Sequence, residues 1–247
     1  MGALMRMLVT RPEPDTQATM DRLAALDISA ISAPVMTRQT LDAHFPPTTG
    51  FAAMALTSTN ALRTLEDIGL LPQLLGLKVF AVGDRTAHEA RLAGFGDVVI
   101  AEGTLDSLVT TIALARLEGP VLYPAGRHLS GDMARALAPH GLMVVTVPVY
   151  EMVAEERLPE AAREALAGGE IGGVLVYSRR TAEIFADLAA PCLSDEQKRA
   201  LPMLCLSENV AAPLLANHFS RVLLSDHPSE EAMMALALAF AREQTGS

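Results

Sequence analysis

The stretch LVTRPEPDTQATMDRLAALDISAISAPV (Leu8–Val35) recurs in altered form as LYPAGRHLSGDMARALAPHGLMVVTVPV (Leu122–Val149), with Pro34 against Pro148 at an offset of 114. Each copy opens on an apolar run of strand length, passes through a helical spacing and returns to a second apolar run that ends in Pro-Val. In the first copy Met20, Leu23 and Leu26 share one face of a helix expected over Asp15–Leu26. A helix between two apolar strands is the connection that parallel strands require. The repeated unit therefore predicts a parallel sheet.

The rest of the chain has the same grammar. Strand-length apolar runs occur at Met5–Thr10, Ile28–Ile31, Met54–Thr57, Val79–Val82, Val98–Ile100, Val121–Tyr123, Met143–Val147, Val174–Tyr177, Met203–Leu206 and Val222–Leu224. Between them lie helical spacings, as at Thr104–Arg116, where Leu105, Leu108, Ile112 and Ala115 align. Ten strands alternating with helices imply an α/β protein whose parallel sheets are covered on both faces. Self-similarity continues downstream: ALTSTNALRTL (Ala55–Leu65) resembles VYSRRTAEIFA (Val176–Ala186), with Ser58 against Ser178 at an offset of 120. AVGDRTAHEA (Ala81–Ala90) resembles CLSENVAAPL (Cys205–Leu214) at an offset of 124. Offsets that rise steadily are those of an internal duplication with small insertions, giving halves of about 120 residues.

Both Pro-Val segments, Pro34–Met36 and Pro148–Tyr150, read as crossings between two domains. Residues 37–147 then form one α/β domain, and residues 1–33 with 151–247 form a discontinuous one, each with five strands. Two sequential domains divided near Gly119 remain an alternative that periodicity does not separate from this.

Composition narrows the function. The 247 residues are 50% hydrophobic and 19% charged, with a mean hydropathy of +0.28, which is a core-forming composition and not a disordered one. A net charge of −10 opposes sequence-independent nucleic-acid binding, which needs a basic face. Of 19 basic residues only Lys78 and Lys198 are lysines. Arginine's planar fork suits carboxylates and phosphates, although an Arg-rich codon usage gives the same bias. Cys192 and Cys205 form no CxxC, and no two of the six histidines are spaced as ligands on one element, so no metal site is expected. The apolar run Ala232–Ala241 is ten residues long against about 20 for a bilayer span, and Met1–Thr10 runs straight into Arg11-Pro12 without a signal-peptide core. The reading is a soluble cytoplasmic protein with no membrane partner.

Five motifs in register, TRP (Thr10–Pro12), TSTNAL (Thr57–Leu62), AVGDRTA (Ala81–Ala87), YPAGR (Tyr123–Arg127) and VPVYE (Val147–Glu151), resemble the uroporphyrinogen-III synthase family over essentially the whole chain. AVGDRTA, a strand followed by Gly-x-x-Thr-Ala opening a helix, is the most specific of them. The resemblance implies two flavodoxin-like, five-stranded α/β domains joined by a two-stranded linker. It implies a cofactor-free reaction in which hydroxymethylbilane loses its terminal hydroxyl as water, inverts its last pyrrole ring and closes to uroporphyrinogen III, through an azafulvene and a spirocyclic pyrrolenine. A monomer is expected, hinged at the two crossings and closing on its ligand, in transient contact with the hydroxymethylbilane synthase that supplies its substrate. Two departures stand out. The Arg that usually follows the Tyr-Pro strand directly is displaced here to Arg127, and the second copy of the turn, Ser207–Ala211, has lost both Gly and Thr, so Val210 inherits no ligand role.

A flexible substrate with eight carboxylates calls for many modest anion contacts that hold one folded pose. Turns at helix N-termini after apolar strands supply them, because free N–H groups and the positive dipole end point outward there. This singles out Ser58 and Asn60, Gly83 and Thr86, and Ser178 and Arg179. For Ser58 and Thr86 a plain N-cap role is the competing reading, and for Gly83 a tight turn. Among Arg11, Arg63, Arg85, Arg127, Arg179 and Arg180, those that lie nearest strand ends, Arg11 and Arg179, are the first choices for charge screening. Tyr150, one of only three tyrosines, matches by resemblance the family tyrosine that assists hydroxyl departure. A hinge tyrosine packed for structure is the alternative. As a different class of function, a non-catalytic bilobal binder of an anionic small molecule fits the same alternation, because fold does not fix function.

Overall fold

The computed structural model describes residues 6–129 and 131–245. Its strands are β1 Arg6–Val9, β2 Ser29–Ser32, β3 Met36–Thr40, β4 Ala53–Leu56, β5 Lys78–Ala81, β6 Val98–Ile100, β7 Val121–Gly126, β8 Val144–Ala154, β9 Ile171–Val176, β10 Met203–Cys205 and β11 Val222–Leu224. Its helices are α1 Asp15–Ala24, α2 Thr59–Asp67, α3 Leu71–Leu74, α4 Asp84–Leu92, α5 Leu105–Leu114, α6 Met133–Leu137, α7 Glu160–Ala167, α8 Arg179–Ala189, α9 Asp195–Ala200, α10 Glu208–Ala216 and α11 Glu230–Thr245. Met5, the expected start of the first strand, lies outside the described residues. The chain divides into two compact units, one made of residues up to Thr37 and from Val153 onward, the other of Arg38–Met152.

The first unit holds a five-stranded sheet in the order β11-β10-β9-β1-β2, parallel throughout. The second sheet runs β3-β8-β7-β4-β5-β6, and β4 through β8 are parallel. The parallel α/β class expected from the alternation is what the structure shows. Five strands per sheet holds for the first sheet only, since β3 makes the second six-stranded. Leu41 N–H donates to Val149 O, and Glu155 N–H to Val35 O, so residue numbers run in opposite senses and β3 lies antiparallel to β8. This strand escapes sequence reading because MTRQT buries only Met36. An edge strand held by backbone bonds has no apolar alternation to display.

Central strands are apolar throughout because helices cover both faces: β4 (AMAL) is buried at every position. In the second sheet Met54, Leu56, Val79 and Leu122 face one core, and Ala53, Ala55, Phe80 and Tyr123 the other, the period-two alternation of a strand. In the first, Met7, Val9, Leu175 and Leu204 pack under α11 through Met233, Met234, Ala237 and Phe240. The apolar run Ala232–Ala241 thus covers a sheet, and among the described residues no helix is long and apolar enough to cross a membrane.

Pro148, Val149 and Tyr150 lie inside β8. Ala125 stands opposite Pro148, but Gly126 stands opposite Tyr150, so the register slips by one residue at Val149. Proline donates no N–H and is accommodated in sheets at such irregularities. The slip places Val147, Val149 and Tyr150 in one apolar cluster, whereas Val149 and Tyr150 in an unbroken strand would face opposite ways.

Candidate active site

Since β4, β5, β7 and β8 are parallel, their carboxyl ends share one edge, and the turns that follow them carry most of the residues singled out above. After β4, Ser58 adopts an extended conformation and its hydroxyl accepts the Asn60 N–H at 3.1 Å, capping α2. The Asn60 amide is held in turn, donating to Met152 Sδ at 3.6 Å and accepting from Arg63 Nη1 at 3.4 Å. Ser58 is therefore an N-cap. Thr86 is not. After β5, α4 is capped by Gly83, which offers no side-chain acceptor, and the buried Thr86 hydroxyl makes no hydrogen bond among the described residues. Gly83 is extended at φ −169°, a conformation open to any residue, and an added β-carbon would meet Gly103 Cα at an ordinary 3.5 Å. What glycine contributes there is a helix start without a side chain across it.

At the ends of β7 and β8, Tyr150 lies against Gly126, whose neighbour Arg127 donates its N–H to Tyr150 O at 2.8 Å. The Tyr150 ring is 9% exposed, and its hydroxyl makes no hydrogen bond among the described residues. The only buried side-chain polar atom left without a partner among those residues is Arg38 Nε, so the Tyr150 hydroxyl keeps a path to solvent. Next to it Tyr123 and Thr57 share a hydrogen bond of 3.0 Å. Burial raises the Tyr123 pKa, the Thr57 bond opposes this, and the nearby Tyr150 adds to the rise.

Two residues that sequence reading passed over complete this corner. Glu151 bridges Arg127 at 3.0 Å and His128 at 3.2 Å, so the displaced arginine is anchored from the strand that carries Tyr150. Its position inside VPVYE was the available signal. Beside Arg127 a cavity of about 450 Å³ is lined by Leu41, Asp42, His44, Val145, Val147 and Pro148.

The first unit arranges its carboxyl edge differently. Ser178 caps α8 by accepting the Thr181 N–H at 3.1 Å and meets the Thr181 hydroxyl at 2.7 Å. Arg179 is exposed and engages Glu183 at 3.0 Å and Asn209 at 3.2 Å. Arg11 is buried, with its guanidinium 4.2 Å over the Tyr177 ring, bonded to Asp15 at 2.9 Å and Thr19 at 3.1 Å and paired with Glu230. Glu230 also accepts from Tyr177 at 3.1 Å. Burial alone would lower the Arg11 pKa, but attraction to Glu230 and Asp15 outweighs it and the net shift is upward. Burial, followed by the charge of Glu230, pushes Tyr177 well above the usual phenol range. Glu230 carried no sequence signal, because it lies more than 200 residues from Arg11. In Ser207–Ala211 the Ser207 side chain caps nothing, and Val210 is buried where α4 has Thr86. Among the described residues no group of His, Cys, Asp and Glu is placed to hold a metal ion.

Comparison with known proteins finds relatives of this fold. The chain is similar in structure to the uroporphyrinogen-III synthetase of Helicobacter pylori, with a TM-score of 0.64 and 18% identity over 95% of this chain and 99% of that one. A mutant uroporphyrinogen III synthase of Thermus thermophilus gives a TM-score of 0.57 at 18% identity, over 97% and 99%. No curated protein sequence matches it significantly. The family model for the uroporphyrinogen-III synthase HemD matches residues 17–235, a stretch that includes β2 through β11 and every turn described above except that of Arg11. The chain belongs to the uroporphyrinogen-III synthase family.

Proposed function

We propose that this protein works as a uroporphyrinogen-III synthase, a cyclising hydro-lyase that converts hydroxymethylbilane to uroporphyrinogen III with loss of water, inversion of the last ring and closure of the macrocycle. The family match over residues 17–235 carries this reading. A non-catalytic anion binder is not favoured, since the family whose model matches is one of synthases.

In this reading Tyr150 passes its phenolic proton to the departing hydroxyl, which leaves as water, and takes up the proton released when the attacking pyrrole carbon regains its aromatic ring on closure. The helix starts at Ser58–Asn60, Gly83–Thr86 and Ser178 receive carboxylate arms through backbone N–H groups, with the free Thr86 hydroxyl as an additional donor. Arg127 and Arg179, both exposed, supply positive charge to those arms. Arg11 is already committed to Asp15 and Glu230 and serves the fold of its own unit. The work of the protein is to hold one pose, worth several kcal/mol in a unimolecular closure. A cytoplasmic monomer receiving its substrate from hydroxymethylbilane synthase completes the proposal.

The strand orders support an internal duplication. Matching β1 with β7, β2 with β8, β4 with β9, β5 with β10 and β6 with β11 makes the two sheets read alike, β6-β5-β4-β7-β8 against β11-β10-β9-β1-β2. Each sheet would then combine two strands of one half with three of the other.

The test is direct. The protein is mixed with enzymatically generated hydroxymethylbilane, and the products are oxidised and resolved by chromatography. Isomer III above the spontaneous background is expected; isomer I alone would refute the synthase reading.

A further inference from the structure

Gly126 ends β7 directly opposite Tyr150. A β-carbon built on Gly126 would lie 3.0 Å from Tyr150 Cζ, 3.1 Å from Cε2 and 3.2 Å from Oη. Real side chains rarely sit that close, so any other residue here moves the ring. The ring belongs to the buried cluster that includes Met54, Leu56, Leu122 and Val147, so a shift of a few tenths of an ångström is what an added β-carbon asks of it. On the other strand, the register slip at Val149 is what turns Tyr150 toward this face at all. Two backbone features on neighbouring strands, a missing side chain on β7 and an extra residue on β8, thus converge on one phenol.

We infer that Gly126 is a positioning residue for the reaction: its bare backbone, together with the bulge at Val149, sets the place of the Tyr150 hydroxyl. The inference rests on Tyr150 being the donor to the leaving hydroxyl. It adds that the donor's position is dictated by what β7 lacks. Displacing a reacting group by a fraction of an ångström to one ångström costs up to about a hundredfold in rate, whereas binding of carboxylate arms at the other turns is left alone.

The experiment is a double-mutant cycle on kcat and KM for hydroxymethylbilane. Gly126→Ala is expected to lower kcat about tenfold and leave KM within about twofold. Placed on Tyr150→Phe, itself down about a hundredfold or more, Gly126→Ala should cost less than about twofold, because the hydroxyl it displaces is already gone. A second reading needs no turnover. With 3-fluorotyrosine in place of the three tyrosines, the fluorine resonance lost in Tyr150→Phe should shift in Gly126→Ala, and that of Tyr177 should not. Should Gly126→Ala prove unstable, Gly126→Ala/Tyr150→Leu removes the ring tip and should restore the unfolding midpoint. An equal tenfold cost in both backgrounds, an unchanged kcat in Gly126→Ala or an unmoved Tyr150 resonance overturns the inference. If Tyr150→Phe is itself without effect, the assignment of Tyr150 falls first and takes this one with it.

Discussion

Thr57 Oγ1 and Tyr123 Oη lie 3.0 Å apart, joining the carboxyl end of β4 to its neighbour β7. This is the point where the second sheet reverses its order: β4, β5 and β6 progress one way and β7 and β8 the other. In open parallel sheets ligands favour the crevice at such a point. The reversal in the first sheet falls between β1 and β9, and there Arg11 lies 4.2 Å over the ring of Tyr177. One reversal point carries a pair of neutral hydroxyl side chains, the other a cluster of charges that satisfy one another.

Tyr150→Phe should reduce turnover about 10²–10⁴-fold, the worth of one positioned acid. The unfolding midpoint should scarcely move, because the hydroxyl makes no hydrogen bond among the described residues and the ring packing is kept. A wild-type rate and isomer III fraction would remove Tyr150 from the mechanism.

Ser58→Ala and Thr86→Ala should separate stability from binding. Ser58 caps α2, so its loss should cost about 1 kcal/mol of stability. Thr86 caps nothing, so Thr86→Ala should lose only the packing of its buried methyl, about 1 kcal/mol, while weakening uroporphyrinogen III binding by about 1–2 kcal/mol. Thermal unfolding and product titration check both; a destabilised Thr86→Ala with intact affinity contradicts the assignment.

Glu151→Gln and Arg127→Ala should move KM in opposite directions. Glu151 partly neutralises Arg127, so removing its charge should lower KM and removing Arg127 should raise it. Each change should be about two- to fivefold, the scale of an exposed ion pair, and should shrink in high salt. An unchanged or lowered KM in Arg127→Ala would exclude Arg127 from substrate binding.

Arg11→Met should behave as a core substitution. It removes the buried guanidinium from two half-buried carboxylates, Asp15 and Glu230, so about 2 kcal/mol of stability should be lost. KM measured well below the unfolding midpoint should stay close to wild type. A large rise in KM in a well-folded variant would return Arg11 to the substrate site.

Thiol labelling should distinguish the two cysteines. Burial pushes the Cys205 pKa up to about 12. At pH 8 its thiolate is about one part in 10⁴. Iodoacetamide at that pH should modify Cys192 in the native protein and reach Cys205 only on unfolding, as peptide mapping would show.

The repeated Leu8–Val35 and Leu122–Val149 segments made the parallel α/β class legible, because a buried strand must be apolar along its whole length and the chain can return only through a helix. The turns at Ser58, Gly83 and Ser178 were legible for a related reason, since a strand end followed by a small or polar residue and a helical spacing fixes a helix start locally. What a turn's hydroxyl does was not legible. Ser58 and Thr86 look alike in sequence, yet one caps its helix and the other is free, because Gly83 takes the cap position in α4.

Everything that depends on cross-strand register was decided by the tertiary structure. Strand β3 forms because β8 offers it a backbone edge, which no property of MTRQT announces. Arg11 has the same sequence context as an exposed strand-end arginine, and it is held inward by partners that include Glu230 of α11 and the ring of Tyr177, both remote in the chain. Tyr150 was visible as a lone tyrosine in VPVYE. The slip at Val149 that aims it and the bare Gly126 that admits it exist only once β7 and β8 are paired. Local spacing determines which elements form and where helices start; the position of a functional group is set by contacts between residues far apart in the chain, and those appear only in the folded molecule.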